Sequence, residues 1–170
     1  PCFQDSNDDG IGDLNGIISR LDYLSDLGIG AIWLSPIFKS PLLDAGYDVS
    51  DHKDVDPRFG SLKIYDNLLD QAHKKNLKVV IDYVPNHTSN QHSWFEQSCR
   101  SRDDAKRSWY IWQDPKHDGS PPNNWLNRYG RSGWTLHEPT GQYYFATFMP
   151  EQPELNWRCA ELRHAMFDVL

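Results

Sequence analysis

The sequence predicts an α/β domain with parallel strands, and three observations carry that prediction. Segments of helical spacing alternate with short, continuous apolar runs, a proline closes each run, and the first run leads into a long loop of low periodicity. Two such strands suit a closed barrel and an open sheet equally.

The elements follow in order. In residues 14 to 28, LNGIISRLDYLSDLG, apolar side chains at Leu14, Ile17, Ile18, Leu21, Leu24 and Leu27 predict one amphipathic helix with Gly28 as its C-cap. AIWLSPI, 31 to 37, is a continuous apolar run ended by Pro36, which predicts a strand buried on both faces. After a loop holding Pro41, Gly46, Pro57 and Gly60, helical spacing returns over 61 to 75 through Leu62, Tyr65, Leu68, Leu69 and Ala72. LKVVIDYV, 77 to 84, is a second buried strand stopped by Pro85. Past His87 the pattern changes to a segment rich in Trp, Tyr, Asn, Pro and Gly, expected to be a small inserted subdomain. QYYFATFM, 142 to 149, is its clearest antiparallel strand, and ELRHAMFDVL after about Arg158 reads as the first turns of a new helix.

With 170 residues and 38% hydrophobic content, the chain can bury one core and a small satellite domain. A net charge of -7 argues against nucleic acid as a partner, and Lys74, Lys75 and Lys78 read as a solvated edge. Cys2, Cys99 and Cys159 are odd in number and lack metal-like spacing, leaving room for one disulfide. No apolar run reaches the roughly 18 residues of a membrane helix, and no signal peptide is expected in these residues. The abrupt opening PCFQDSN and an end inside a helical pattern lead us to expect a piece of a longer protein.

Four features bear on chemistry. DSNDDGIGD, 5 to 13, sets Asp5, Asn7, Asp9 and Asp13 at alternate positions with the Ile11 carbonyl in the gap. Hard oxygens in a glycine-containing loop suit calcium, although an EF-hand would need Glu where Gly16 stands. The same residues could also serve as a polar cap for the following helix. DYVPNH, 82 to 87, places Asp82 in an apolar strand, a cost of several kcal/mol unless the charge is paired, so Asp82, Asn86 and His87 point to a site at the strand's end. GYDVSD, 46 to 51, joins an aromatic ring to a carboxylate, which suits a sugar and equally suits a turn. Seven tryptophans are several times ordinary usage, and most are expected in the core of the aromatic segment. Phosphate-binding loops, HExxH and zinc-like clusters are absent from the sequence.

Taken together, DSNDDGIGDL, GYDVSDH, DVDPRFG, DYVPNHTS and QPELNW resemble the N-terminal part of the alpha-amylase superfamily of glycoside hydrolases, in its oligo-1,6-glucosidase and alpha-glucosidase (maltase) subgroup. The resemblance runs through essentially all of the chain. It implies a partial (β/α)8 TIM barrel, from the second barrel strand to the start of the third barrel helix, with a small domain inserted after the third strand. The implied division is barrel over 1–87, inserted domain B over 88–157, and the start of a barrel helix over 158–170.

The same resemblance implies a calcium site at Asp5, Asn7, Asp9, the Ile11 carbonyl and Asp13. It also implies that Tyr47, Asp48 and His87 bind the non-reducing glucose, with Asp82 and Asn86 supporting the loop of His87. Glu154 departs from the family, which usually has Asp there. The parent protein is expected to be a retaining alpha-glucosidase that releases terminal glucose from maltose, sucrose or short α-linked oligosaccharides. In the family the nucleophile and acid/base follow the fourth and fifth barrel strands, so the chain needs the remainder of the barrel and is expected to be inactive alone. The alternatives are the non-catalytic, amylase-like heavy subunit of an amino-acid transporter, and a calcium-stabilised structural fragment. Cytosolic and secreted relatives share these motifs.

Overall fold

The structure is a computed structural model describing residues 2–170. The chain forms two compact units, one running to Lys39 and resuming over Lys53–Tyr83, the other joining Ser40–His52 to Val84–Leu170.

In the first unit the predicted helix over 14–28 is two short helices, α1 (Leu14–Ser19) and α2 (Leu21–Asp26). They break at Arg20, whose φ of -112° and ψ of 8° are not helical. The cause is local. Gly16 and Ser19 are weak helix formers, and Ser19 Oγ donates back to the Gly16 carbonyl at 2.7 Å, which bends helices. Gly16 has its own reason to be glycine, because a Cβ there would stand 2.0 Å from the Gln4 carbonyl oxygen. Gly28 ends α2 at φ +81°, donating its N–H to Ser25 O at 2.9 Å as a C-terminal glycine should.

Strands β1 (Ala31–Leu34) and β4 (Lys78–Ile81) pair in parallel with Ala31 opposite Lys78. Both are shorter than the apolar runs suggest, and burial on both faces is not seen. Leu34 is buried, but Trp33 is 64% exposed and Val80 50% exposed, the face they share being left largely uncovered by the described residues. Between them β2 (Phe38–Lys39) pairs with β3 (Asp51–Val55). Helix α3 (Leu62–Lys74) matches its prediction, with Ser61 Oγ accepting from Ile64 N at the N-cap and Leu68 and Ala72 turned inward. The turn before it is locked by Arg58, whose Nε and Nη2 both reach the Asp56 carboxylate at 2.7 Å.

The second unit is organised by a three-stranded antiparallel sheet, β5 (Trp112–Gln113), β6 (Trp134–His137) and β7 (Gln142–Phe145), in the order β5-β7-β6. The strand expected over 142–149 stops at Phe145. Its core is aromatic, as a segment short of aliphatics requires. The Phe95 ring lies 5.0 Å from Tyr110, 5.1 Å from Tyr144 and 5.7 Å from Trp112. Trp109 and Trp134 are buried and Trp94, Trp112 and Trp157 half-buried, while Trp125 is 55% exposed. Helix α4 (Ser93–Ser98) starts under His92, whose Nδ1 accepts from Trp94 N at 3.1 Å. Helix α5 (Ala160–Phe167) buries Leu162 and Met166 and belongs to this same unit. The three cysteines are free thiols.

Candidate functional site

Three segments of the second unit meet around His87. The loop over 40–48 is strained, with Leu42 at φ +59° and Ala45 at φ +52°, neither of them glycine. The fully buried Asp48 carboxylate holds it: Oδ1 accepts from Ser40 Oγ at 2.8 Å and Asp44 N at 3.2 Å, and Oδ2 accepts from Leu43 N at 3.0 Å. Ser40 Oγ in turn accepts from Leu42 N at 2.9 Å. The buried Gln152 closes the loop from the other side, donating to Asp44 Oδ2 at 2.9 Å.

His87 is 3% exposed. Its Nε2 lies 3.1 Å from the Tyr47 carbonyl, which can only accept, so the Nε2 proton is assigned there. Nδ1 is then the acceptor for Asn86 Nδ2 at 3.2 Å. Asn86 Nδ2 also donates to Glu154 Oε2 at 3.0 Å, and that oxygen takes a further bond from Thr147 N at 3.3 Å. Burial holds the His87 imidazole below its ordinary range, outweighing the Tyr47 carbonyl and the charges of Glu154, Asp44 and Asp48, which act to raise it. The ring is neutral, and Phe148 covers it at 5.1 Å.

Two more buried histidines stand nearby. The His52 and His92 rings are 5.5 Å apart, with Trp94 4.5 Å from His92. Burial depresses both, and pulls His92 down to about 3.

Of the residues expected from sequence, the structure brings Tyr47, Asp48, Asn86 and His87 together. Asp82 belongs to the first unit, half-buried just beyond β4, where its N–H donates to Leu34 O at 3.2 Å. Sequence reasoning missed Ser40, Asp44 and Gln152. No spacing rule links position 152 to position 44, and only the fold brings them into contact. It noticed Glu154 as a departure from a pattern without seeing its bond to Asn86.

The loop over 5–13 lies in the first unit. Asp5 accepts from Asn7 N, Asp8 N and Gly10 N, Asn7 Oδ1 accepts from Asp9 N, and Asp9 Oδ1 accepts from Ile11 N, all within 3.1 Å. Asp13 is the N-cap of α1, with Oδ1 accepting from Gly16 N at 2.7 Å and Oδ2 from Ser6 N at 3.0 Å. The amides of Asn7 and Gly10 hold the Asp5 carboxyl low. Burial pushes Asp13 up, but the bonds from Gly16 and Ser6 outweigh it. Both are therefore ionised. The donors fit calcium in kind, being hard oxygens only. Here they are engaged by loop amides, and among the described residues no three Asp, Glu, His or Cys gather as a ready ion site.

The chain is similar to proteins of known activity. It is 48% identical to an oligo-1,6-glucosidase of Heyndrickxia coagulans over 168 residues, covering 99% of this chain and 30% of the relative. It is 50% identical to a probable alpha-glucosidase of Rhizobium meliloti, covering 98% and 30%. The crystal structure of the alpha-glucosyl transfer enzyme XgtA superposes with a TM-score of 0.97 at 52% identity, covering 99% of this chain and 31% of that one. The chain thus spans about a third of the length of these relatives, and the solved structures it resembles are TIM-barrel enzymes. The model of the alpha amylase catalytic domain matches residues 1–170, and the chain belongs to the alpha-amylase family.

Proposed function

We propose that this chain is the N-terminal portion of a retaining alpha-glucosidase that removes terminal α-linked glucose from maltose, sucrose or short oligosaccharides. The observation that carries the reading is the convergence of Tyr47, Asp48 and His87 in one unit of a chain this close to alpha-glucosidases. In this reading the first unit is barrel, and the aromatic segment is the domain inserted after the third barrel strand. A carboxylate beyond residue 170 attacks the anomeric carbon, a second one protonates the leaving oxygen, and water releases the glycosyl-enzyme.

His87 and Asp48 contribute by holding the sugar. Neutral His87 has both ring nitrogens engaged, Nε2 donating to the Tyr47 carbonyl and Nδ1 accepting from Asn86, so a sugar hydroxyl would exchange with one of these bonds on entering. Asp48 Oδ2 has one protein donor and retains capacity for a hydroxyl, which would reach it through a shift of the 40–48 loop, since the residue is fully buried. Calcium, held by Asp5, Asn7, Asp9, the Ile11 carbonyl and Asp13, would tie the loop to the start of α1 and play no part in the reaction.

The test uses the complete protein with p-nitrophenyl α-glucoside, following the first-formed anomer of glucose by NMR. Release of α-glucose is expected, with kcat/KM lowered by about a hundredfold or more in His87→Ala when it is assayed at a temperature where that variant remains folded. Release of β-glucose would overturn the retaining mechanism. A folded protein without turnover would overturn the enzyme reading and favour an amylase-like scaffold.

A further inference from the structure

The second unit holds a cavity of about 910 Å³ that shares no residue with the His87 network. Its wall includes Trp112 on β5, Trp134 on β6, Arg107, Asn123, Trp125 and Arg158. We propose that this cavity is an accessory binding site for a neutral oligosaccharide.

Three independent features lead there. The first is a pair of unmet donors. Arg107 is 8% exposed, and its Nη1 donates to Ser98 O at 2.7 Å and its Nη2 to Thr140 Oγ1 at 3.1 Å, yet its Nε is buried without a hydrogen-bond partner. Trp112 Nε1 is in the same condition, and the two side chains are in contact, with the guanidinium carbon 3.5 Å over the indole. Buried donors are nearly always paired; neither atom has accessible surface here, so a ligand acceptor would reach them only as a side chain of this wall shifts on binding.

The second feature is an open aromatic face. Trp125 is 55% exposed and stacks at 6.0 Å on buried Trp134, whose Nε1 is fixed on Asn123 Oδ1 at 2.8 Å. A rigid, half-open indole is the surface on which the C–H face of a pyranose packs.

The third is charge balance. Arg102 on the cavity wall is already paired with Asp114 at 2.9 Å, and Arg107 and Arg158 face a wall that also carries Asp103 and Asp104. An anion would be repelled about as much as attracted. Mixed guanidinium, carboxylate and carboxamide groups match hydroxyls, which both donate and accept. The volume lies within the range of small-molecule sites and has room for two or three sugar rings. The site stands apart from the alpha-glucosidase reading, and only the choice of an α-glucan as probe rests on it.

The complete protein, labelled with 5-fluorotryptophan, is titrated with a hydrolysis-resistant, S-linked maltotriose and followed by ¹⁹F NMR, with signals assigned from single Trp→Phe variants. The signals of Trp112, Trp125 and Trp134 should shift together with one dissociation constant. Trp125→Ala should weaken binding, read at Trp112, by about fivefold or more. The shifts should persist in His87→Ala, which separates this site from the glucose site whatever that variant does to turnover. Should Trp125→Ala lower the melting temperature, Arg158→Ala at the exposed rim replaces it, with weakened binding again expected. The proposal is overturned if the three signals stay fixed up to about 20 mM S-linked maltotriose, a range that covers weak sites. It is equally overturned if the shifts disappear in His87→Ala, or if neither variant changes the dissociation constant.

Discussion

Glu154 accepts a hydrogen bond from Asn86, 68 residues earlier in the chain, at 3.0 Å, and through that carboxamide it reaches the ring of His87. The same Oε2 also satisfies Thr147 N at 3.3 Å. Glu154→Ala leaves Thr147 N and one hydrogen of Asn86 Nδ2 without an acceptor in a half-buried place, the other still bonding His87 Nδ1. We expect a loss of about 1–3 kcal/mol, measured by urea denaturation of the complete protein. Glu154→Gln keeps an acceptor oxygen at the same reach and should retain most of that stability. Equal losses in the two variants would show that charge, rather than the hydrogen bonds, matters at this position.

Asp48 and Ala45 make opposite predictions about one loop. Asp48→Ala removes the acceptor for Ser40 Oγ, Leu43 N and Asp44 N from a fully buried point, at a cost of about 3 kcal/mol or more. Ala45→Gly relieves the left-handed backbone at φ +52° and should gain about 0.5–1 kcal/mol after the entropy of the unfolded glycine is set against it. Thermal melts of the two variants check both signs. If Ala45→Gly destabilises, the strain attributed to this loop is not there.

Three buried histidines make the protein acid-labile. His52, His87 and His92 all have native pKa values below the ordinary 6.5, with burial as the leading cause and His92 at about 3. Above that ordinary value folded and unfolded chains are both neutral, so stability is complete. As pH falls the unfolded chain binds protons that the native chain refuses. Stability is then lost by about 1.4 kcal/mol per pH unit for each such histidine, continuing down to the native pKa. Unfolding free energies at pH 7, 6 and 5 should therefore fall steeply. His92→Asn preserves a cap for Trp94 N and removes one titrating group, so its slope should be shallower.

Periodicity read α3 correctly because Leu68 and Ala72 do face inward, and its cap at Ser61 is a local signal. The break at Arg20 was not legible, because the apolar spacing runs on through it and the bond from Ser19 Oγ to the Gly16 carbonyl is a choice of side-chain rotamer that spacing does not encode. The exposed faces of β1 and β4 look buried in sequence, since an apolar run encodes the coverage a strand requires and says nothing of which residues provide it. At the site, the motifs containing Tyr47, Asp48, Asn86 and His87 were legible one by one. Their linkage was not. It passes through a carboxamide and a glutamate more than 60 residues apart, and a one-dimensional pattern does not encode which side chain meets which.

The loop over 5–13 gives the last prediction, in which two roles must be separated. If calcium binds there, it stabilises the native state according to its concentration relative to its dissociation constant, so chelation should lower the melting temperature of the complete protein. Asp9 lies at the exposed edge of the loop and accepts from Ile11 N and Asn7 Nδ2. Asp9→Ala should melt lower than the parent in calcium, and chelator should move it little. Gly16→Ala acts differently, because its Cβ would collide with the Gln4 carbonyl at 2.0 Å and displace the backbone leading into the loop. That variant should lose stability in calcium and in chelator alike. Identical melting curves for the parent with and without chelator would leave the loop as a hydrogen-bonded cap for α1, and Gly16→Ala would still be destabilised.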